Sequence, residues 1–503
     1  MTPYKDLMDK YREYALVDAT SRILSWDLET YMPPNGITLR SDQLGVLERF
    51  RHRMLTSDGL AQALREAEKE ADSLDEVQKR NLHLIRREHE IAISVPEDLV
   101  AEIERQSAIS WTTWVKAKAA RNWKMFEPEL KKLVDLSIRH AEATMRPRGV
   151  STVFDVMIDA HEKGMTQEKT AVLLADLRNS LLPLIRKYSE ASKAIDPSLT
   201  KRMVPIDLQR KLVSDAVNLI GYDTVSDKAS GRVDETEHPF TIGYFDDVRI
   251  TVHYYENDPF EAFYSGLHEA GHALYELNLN HDWMYQPAGM WASMGVHEAM
   301  SRFAENVVGR SRSFWRYYLP RLNEITNGAY SDVQLDDLLR AVNKVEPSKT
   351  RVSADELTYQ MHVILRFEIE RKLFGGENEV SELPSIWNEL YDKYLQIKFD
   401  HDGEGVMQDV HWSGASYGYF QSYSLGNIYG GMFLQKMDQE LSHWMDEVEK
   451  GNPRVAIDWL RDNVQRFGLL YDPEVLVKKV TGTSVTVEPF VRYLEKKHSS
   501  LWQ

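Results

Sequence analysis

A chain of 503 residues, 43% hydrophobic and 28% charged, has enough apolar material for a large packed core, which excludes bulk disorder. Its formal net charge of −17, with no Lys/Arg-rich block to offset it, argues against nucleic acid as a partner. There is no cysteine, so disulfides and thiolate metal sites are excluded and any transition metal must be held by histidine and carboxylate.

The N-terminal stretch mixes Asp, Lys, Glu and Arg with apolar positions, unlike a signal peptide, and no run approaches the ~20 apolar residues of a membrane span. A cytoplasmic location without membrane partners is therefore expected. Residues 1–193 read as long amphipathic helices, with apolar positions three and four apart in stretches such as 74–93 and 127–145. Proline and glycine predict breaks at Met32-Pro33-Pro34-Asn35-Gly36, at Val95-Pro96 and at Arg146-Pro147-Arg148-Gly149.

Residues 221–237, rich in Gly, Asp, Ser and Thr, read as a loop. A strand pair is expected at 241–245 and 248–255 around Asp246-Asp247, the second run alternating like a half-buried strand. From Asp258 the helical period returns almost to the end, interrupted at Phe374-Gly375-Gly376 and at 402–405. The fold class is mainly α with one small β-sheet just before the key motif. Domain count is open from length alone; we take 1–503 as one catalytic domain, helical to about 220 and site-bearing from 221 to 503.

That key motif is His268-Glu269-Ala270-Gly271-His272, an H-E-x-x-H pattern in a helical run. Two histidines four apart share a helix face, so their imidazoles can converge on one zinc ion. Glu269 stands beside them, where a carboxylate can take a proton from water at the metal and pass it to a leaving amine. The plain alternative is two surface histidines on an amphipathic helix. Gly271 argues against it, since a glycine costs a helix about 1 kcal/mol and here would allow close approach of a metal or substrate. A third ligand is needed. A metzincin would carry Gly at Tyr275 and His at Asn278, so that class is excluded. Glu298 in Val296-His297-Glu298-Ala299-Met300 lies 26 residues after His272, room for a loop and a second helix. His281 is the rival ligand.

These motifs, taken in order, resemble the carboxypeptidase Taq family and, more distantly, converting-enzyme-type peptidases. His238-Pro239-Phe240 is similar to the family's H-P-F, Asp247-Val248-Arg249-Ile250-Thr251 to its D-x-R-x-T, and His268 to His272 to its metal helix. Arg351-Val352-Ser353-Ala354-Asp355 resembles R-x-x-A-D, and Gly405-Val406-Met407-Gln408-Asp409-Val410-His411-Trp412 resembles G-x-x-Q-D-x-H-W. The Trp26-Asp27 and Tyr31-Met32-Pro33-Pro34 region looks familial too. One motif departs: the usual H-E-[S/G]-Q reads His297-Glu298-Ala299-Met300, which keeps the ligand and puts any hydrogen bond from the Gln position in question. The resemblance implies a helical peptidase fold around a deep groove, zinc or a cobalt substitute, one ion per chain, broad carboxypeptidase activity and a homodimer.

A carboxypeptidase must also bind the substrate's terminal carboxylate, which suits the planar arginine fork. Arg351 is the first choice, held by Asp355 one helical turn on; the bland reading is an exposed i,i+4 ion pair. Arg249, on the strand pair that resembles the family's groove-closing loop, is the second, with a solvated cross-strand charge as its alternative. For the oxyanion, Tyr419, Tyr423 and His411 are candidate donors, although aromatic clusters are more often core. His238 is expected to line the same groove. The competing functions are an internally cutting oligopeptidase and a zinc-binding helical scaffold without catalysis.

Overall fold

A computed structural model describes residues 2–502. Thr2, with its side chain accepting from the Lys5 N–H, caps a first helix Pro3–Glu29 that has Pro at its start, an arrangement that satisfies an otherwise unpaired terminal amide. It ends just before the expected break, and Pro34–Gly36 forms a short turn before the helix Ile37–Thr56. The second break also falls as read: one helix ends at Ser94 and the next begins at Glu97. The third also falls within the expected stretch, and glycine, not proline, sets it. Helix Trp123–Arg148 runs through Pro147 and stops at Gly149, whose φ of +70° gives a left-handed cap. Proline in the last turn removes one amide bond but does not stop the helix; glycine does.

The loop expected over 221–237 contains a strand. β1 (Gly231–Glu235) pairs in parallel with β3 (Asp247–Val252), and β3 pairs antiparallel with β2 (Thr241–Tyr244), giving the order β1-β3-β2. β1 reads Gly-Arg-Val-Asp-Glu, with one aliphatic side chain, so composition concealed it. Tyr222 supplies what composition lacks: its hydroxyl accepts from the Arg232 N–H and lies 2.7 Å from the Val248 carbonyl, tying β1 to β3. Val248, Ile250 and Val252 are buried, and the sheet packs on the helix Pro259–Leu277 that follows.

The chain forms two compact units by its internal contacts. One comprises Met1–Ala92, Asp196–Val342 and Met432–Ser484; it holds the sheet and the H-E-x-x-H helix. The other comprises Ile93–Ile195, Asn343–Gly431 and Val485–Gln503 and holds Arg351 and the 405–423 motifs. Among the described residues no helix is long and apolar enough to cross a membrane.

Candidate metal centre and arginine cluster

The helix Pro259–Leu277 carries His268, Glu269 and His272; a second helix, Met294–Arg302, is capped by Ser293, which accepts from the Val296 N–H, and carries Glu298. The two lie close because position 271 has no side chain. A Cβ on Gly271 would come within 2.6 Å of the Met300 carbonyl oxygen and 2.7 Å of the Ser301 Cα. The glycine therefore serves helix-on-helix packing rather than access for a metal or substrate.

His268 Nε2 and His272 Nε2 point at the same carboxylate oxygen, Glu298 Oε2, at 3.6 and 3.4 Å, and one donor atom from each of the three residues lies within 4.8 Å of the others. Two imidazoles and a carboxylate converging in this way form a donor set that fits a divalent ion such as zinc. His281, the rival ligand, stands apart: its Nε2 pairs with exposed Asp246 at 3.0 Å.

Each donor is oriented from behind. His268 Nδ1 is 2.9 Å from Glu305 Oε2, and His272 Nδ1 is 2.5 Å from His297 Nδ1. Glu298 Oε1 accepts from Arg302 Nε at 2.7 Å, and its Oε2 from Ser301 Oγ at 2.9 Å. Burial alone would raise the Glu298 carboxyl, but Arg302, His268 and His272 overcome it and hold it well below the usual carboxylate range. Glu305 follows the same rule: burial opposes ionisation, while Arg302, His268 and Arg310 hold its pKa down. Burial keeps the His272 imidazole neutral, with a pKa lowered to about 3. Position 300, where the family pattern has glutamine, contributes no polar bond to these donors; the Met300 sulfur instead accepts from Gln465 Nε2 at 3.2 Å.

Glu269 is 8% exposed, and burial raises its pKa, partly offset by His268 and by the Thr241 hydroxyl, which lies 2.6 Å from Oε2. Thr241 sits on β2, so the sheet fixes the carboxylate beside the metal helix. Sequence reasoning missed three of these groups. Glu305 lies in a π-helical segment, Phe303–Val308, that continues the second helix; His297 read only as a motif letter, and Thr241 only as a strand residue. A Glu seven positions after Glu298 was the available signal for Glu305.

Arg351 is buried but not on a helix: residues 349–358 are irregular chain with bends and turns, and the next helix starts at Tyr359. Asp355 therefore does not hold Arg351. Its carboxylate accepts from the Glu346, Leu357 and Thr358 amides and the Thr358 hydroxyl, capping the approach to that helix. The carboxylate on Arg351 is Asp409: Arg351 Nε and Nη2 donate to its Oδ1 at 3.3 and 3.2 Å. A second guanidinium, Arg366, donates to Asp409 Oδ2 through Nε and Nη2 at 2.7 and 2.5 Å.

The two arginines differ in what remains. Arg366 is fully buried and its five N–H groups all have acceptors, the others being the His362 carbonyl, the Tyr391 hydroxyl and Gln408 Oε1. Arg351 donates only once more, from Nη1 to the Tyr359 hydroxyl at 3.1 Å, so among the described residues one N–H on each terminal nitrogen is unassigned. The Tyr423 and Phe420 rings lie 4.9 and 5.6 Å from its guanidinium carbon. Two cations on one carboxylate leave this cluster with one net positive charge.

The Tyr423 ring is also 5.2 Å from that of Tyr419, which stacks on His411 at 5.5 Å. Burial lowers the His411 pKa to about 4, so it stands neutral. Behind them Glu370, fully buried, accepts from Trp412 Nε1 at 2.7 Å and the Gly418 amide at 3.0 Å, pinning both ends of the 412–418 segment. Arg249 is bound to Asp247 through Nε and Nη2 and lies 4.2 Å over the Trp26 ring. His238 is an exposed residue between β1 and β2 whose carbonyl accepts from the Thr236 hydroxyl.

A mainly helical fold with an H-E-x-x-H helix, a glutamate from a second helix and a buried glutamate beside them defines a metallopeptidase. The family model described as carboxypeptidase Taq (M32) metallopeptidase matches residues 6–498, and the chain belongs to that family. It is 35% identical to thermostable carboxypeptidase 1 of Thermus thermophilus over the whole of both chains, and 33% identical to carboxypeptidase 1 of Bacillus subtilis over 99% of this chain and 98% of that one. Among solved structures, the M32 carboxypeptidase of Deinococcus radiodurans superposes with a TM-score of 0.95 at 32% identity, over 99% of both chains. The carboxypeptidase of Pyrococcus furiosus gives 0.94 at 29%, again over 99% of both. The chain is thus a metal-dependent carboxypeptidase acting on peptides.

Proposed function

We propose that the whole chain works as one catalytic domain that removes C-terminal residues from peptides with broad specificity, holding one zinc ion on His268, His272 and Glu298, with cobalt as a substitute. The observation that carries this is the convergence of these three donors with Glu269 buried next to them. Zinc is favoured over harder cations by the two imidazole donors. Bound there, it would polarise the scissile carbonyl and make water a better nucleophile.

The protein's own part begins at Glu269. Its carboxylate takes a proton from the attacking water and returns it to the departing amine, a shuttle favoured by a pKa that burial raises above the usual carboxylate range. Thr241 keeps that carboxylate aimed. Tyr419, Tyr423 and His411 are the assigned donors to the developing oxyanion, His411 being neutral and so able to donate from one ring nitrogen.

Arg351 is assigned to the substrate's terminal carboxylate. Its two unassigned N–H groups, one per terminal nitrogen, match a planar anion, and Asp409 and the rings around it fix the fork before substrate arrives. Arg249 and His238 are assigned to the wall of the binding groove, and a homodimer is carried over from the family resemblance. The absence of cysteine suits a reducing cytoplasm, where we place the protein's work.

The test is a pool of N-blocked peptides, each in free-acid and amidated form, incubated with zinc-loaded and chelator-stripped protein and read by mass spectrometry. A metal-dependent ladder lost only from free C-termini is expected. Internal cuts that tolerate amidation would overturn the exopeptidase reading.

A further inference from the structure

The two histidines of the proposed triad are supported differently. His268 meets a carboxylate directly, at Glu305. His272 meets another imidazole, His297, whose Nε2 is in turn 3.3 Å from Glu276 Oε1. Glu276 follows His272 by one turn on the same helix, and His297 immediately precedes Glu298 on the other. Both are buried, and the Tyr275 and Trp291 rings lie 5.2 and 5.5 Å from the His297 ring.

The order of atoms in this chain dictates where the hydrogens are. An ionised carboxylate only accepts, so the His297 nitrogen facing Glu276 must carry a hydrogen. A neutral His297 then presents a lone pair on Nδ1. His272 must donate to it from its own Nδ1, which leaves the His272 Nε2 lone pair facing Glu298 Oε2, 3.4 Å away. The opposite assignment would put the hydrogen on His272 Nε2 and spoil it as a ligand. We propose that His297 and Glu276 are positioning residues for the metal: Glu276 sets the tautomer of His297, and His297 sets the tautomer and ring orientation of His272. This deepens the proposed metal site and rests on it.

The relay has a directional consequence. Its first link needs only an acceptor at the place of His297 Nδ1, whereas the second needs an acceptor at Glu276. Among the described residues Glu276 Oε2 has no hydrogen-bond partner, so Oε1 carries the whole of its polar contact. Glu276 therefore acts on the metal only through His297.

The experiment uses the full chain, stripped with chelator and titrated with Co2+, reading the dissociation constant by chelator competition and the ligand-field bands by visible absorption. His297→Phe keeps the ring among Tyr275 and Trp291 but removes the acceptor. It should weaken Co2+ binding roughly 10–100-fold and shift the bands. His297→Asn, whose amide oxygen can stand near the lost Nδ1, should recover most of the affinity. Glu276→Ala should weaken binding in the wild-type background and do nothing further on top of His297→Phe. Wild-type affinity in His297→Phe, or an Asn variant no better than Phe, would overturn the relay. Failure of the Phe variant to fold would leave the Asn and Glu276 variants to decide. His272→Ala separates the two readings: if it still binds Co2+ as tightly as wild type, the triad itself is wrong, whatever the relay shows.

Discussion

The two buried clusters are charged in opposite senses. Around the histidines, Glu298 and Glu305 pair with Arg302 and Arg310, and Glu269, held by Thr241, adds a third carboxyl; around Arg351, two guanidiniums share the single carboxylate of Asp409. Buried charges that do not cancel are costly to keep unless a counter-charge arrives. The first imbalance suits a cation, the second an anion, and a carboxypeptidase needs one of each. The clusters differ also in support: each of His268, His272 and Glu298 is oriented by a neighbour, whereas only one of the two arginines is saturated.

The sharpest way to break this contrast is at Glu269. Glu269→Gln removes the proton carrier but not a metal donor, so kcat should fall by roughly 10^2 to 10^4 while metal per chain, measured by atomic absorption, stays unchanged. Retained kcat would leave the first cluster without a catalytic meaning. Next comes Asp409→Ala, which strands two buried guanidiniums; urea unfolding should show a loss of about 3–5 kcal/mol. A loss below about 1 kcal/mol, the scale of an exposed pair, would mean the arginines do not depend on one another.

Arg351→Ala should be milder for the fold and selective for substrate. KM for free-acid peptides should rise roughly 10- to 100-fold, the worth of a charge-assisted hydrogen bond, with metal content intact. Metal loss instead would place Arg351 in the wrong cluster.

The smallest effect belongs to Glu370. Burial raises its pKa from 4.5 to about 7, against the pull of Trp412, Gly418 and Arg366. A carboxyl whose folded pKa is raised binds its proton more tightly in the native state, so stability falls as pH climbs from about 4.5 to about 7 and is flat beyond. Melting curves across that window should drop by a few degrees, and Glu370→Gln should flatten the slope. An unchanged slope in the variant would assign it to other groups.

The candidate metal centre was largely legible because its three converging residues obey local rules: His268 and His272 share a helix face, and Glu298 sits on the next helix. The arginine cluster was not. Pairing Arg351 with Asp355 assumed a helical period across residues that form turns, while the true partner, Asp409, lies 58 positions away in irregular chain where spacing predicts no contact. β1 was hidden for a related reason, since it is fixed by pairing with β3 and by the Tyr222 hydroxyl rather than by an apolar side-chain pattern of its own. What periodicity can read is one element's face; what it cannot read is which two irregular segments meet.

The π-helical turn at Phe303–Val308 has a consequence for anyone engineering this chain. Such a turn holds one residue more than a regular helix, and excising that residue is ordinarily a repair that restores the tighter ladder. Here it would swing Glu305 by roughly 100° around the axis and away from His268. The same swing would take Glu305 from Arg302 and Arg310, so fold stability and metal retention would be lost together, and the apparent repair would damage both.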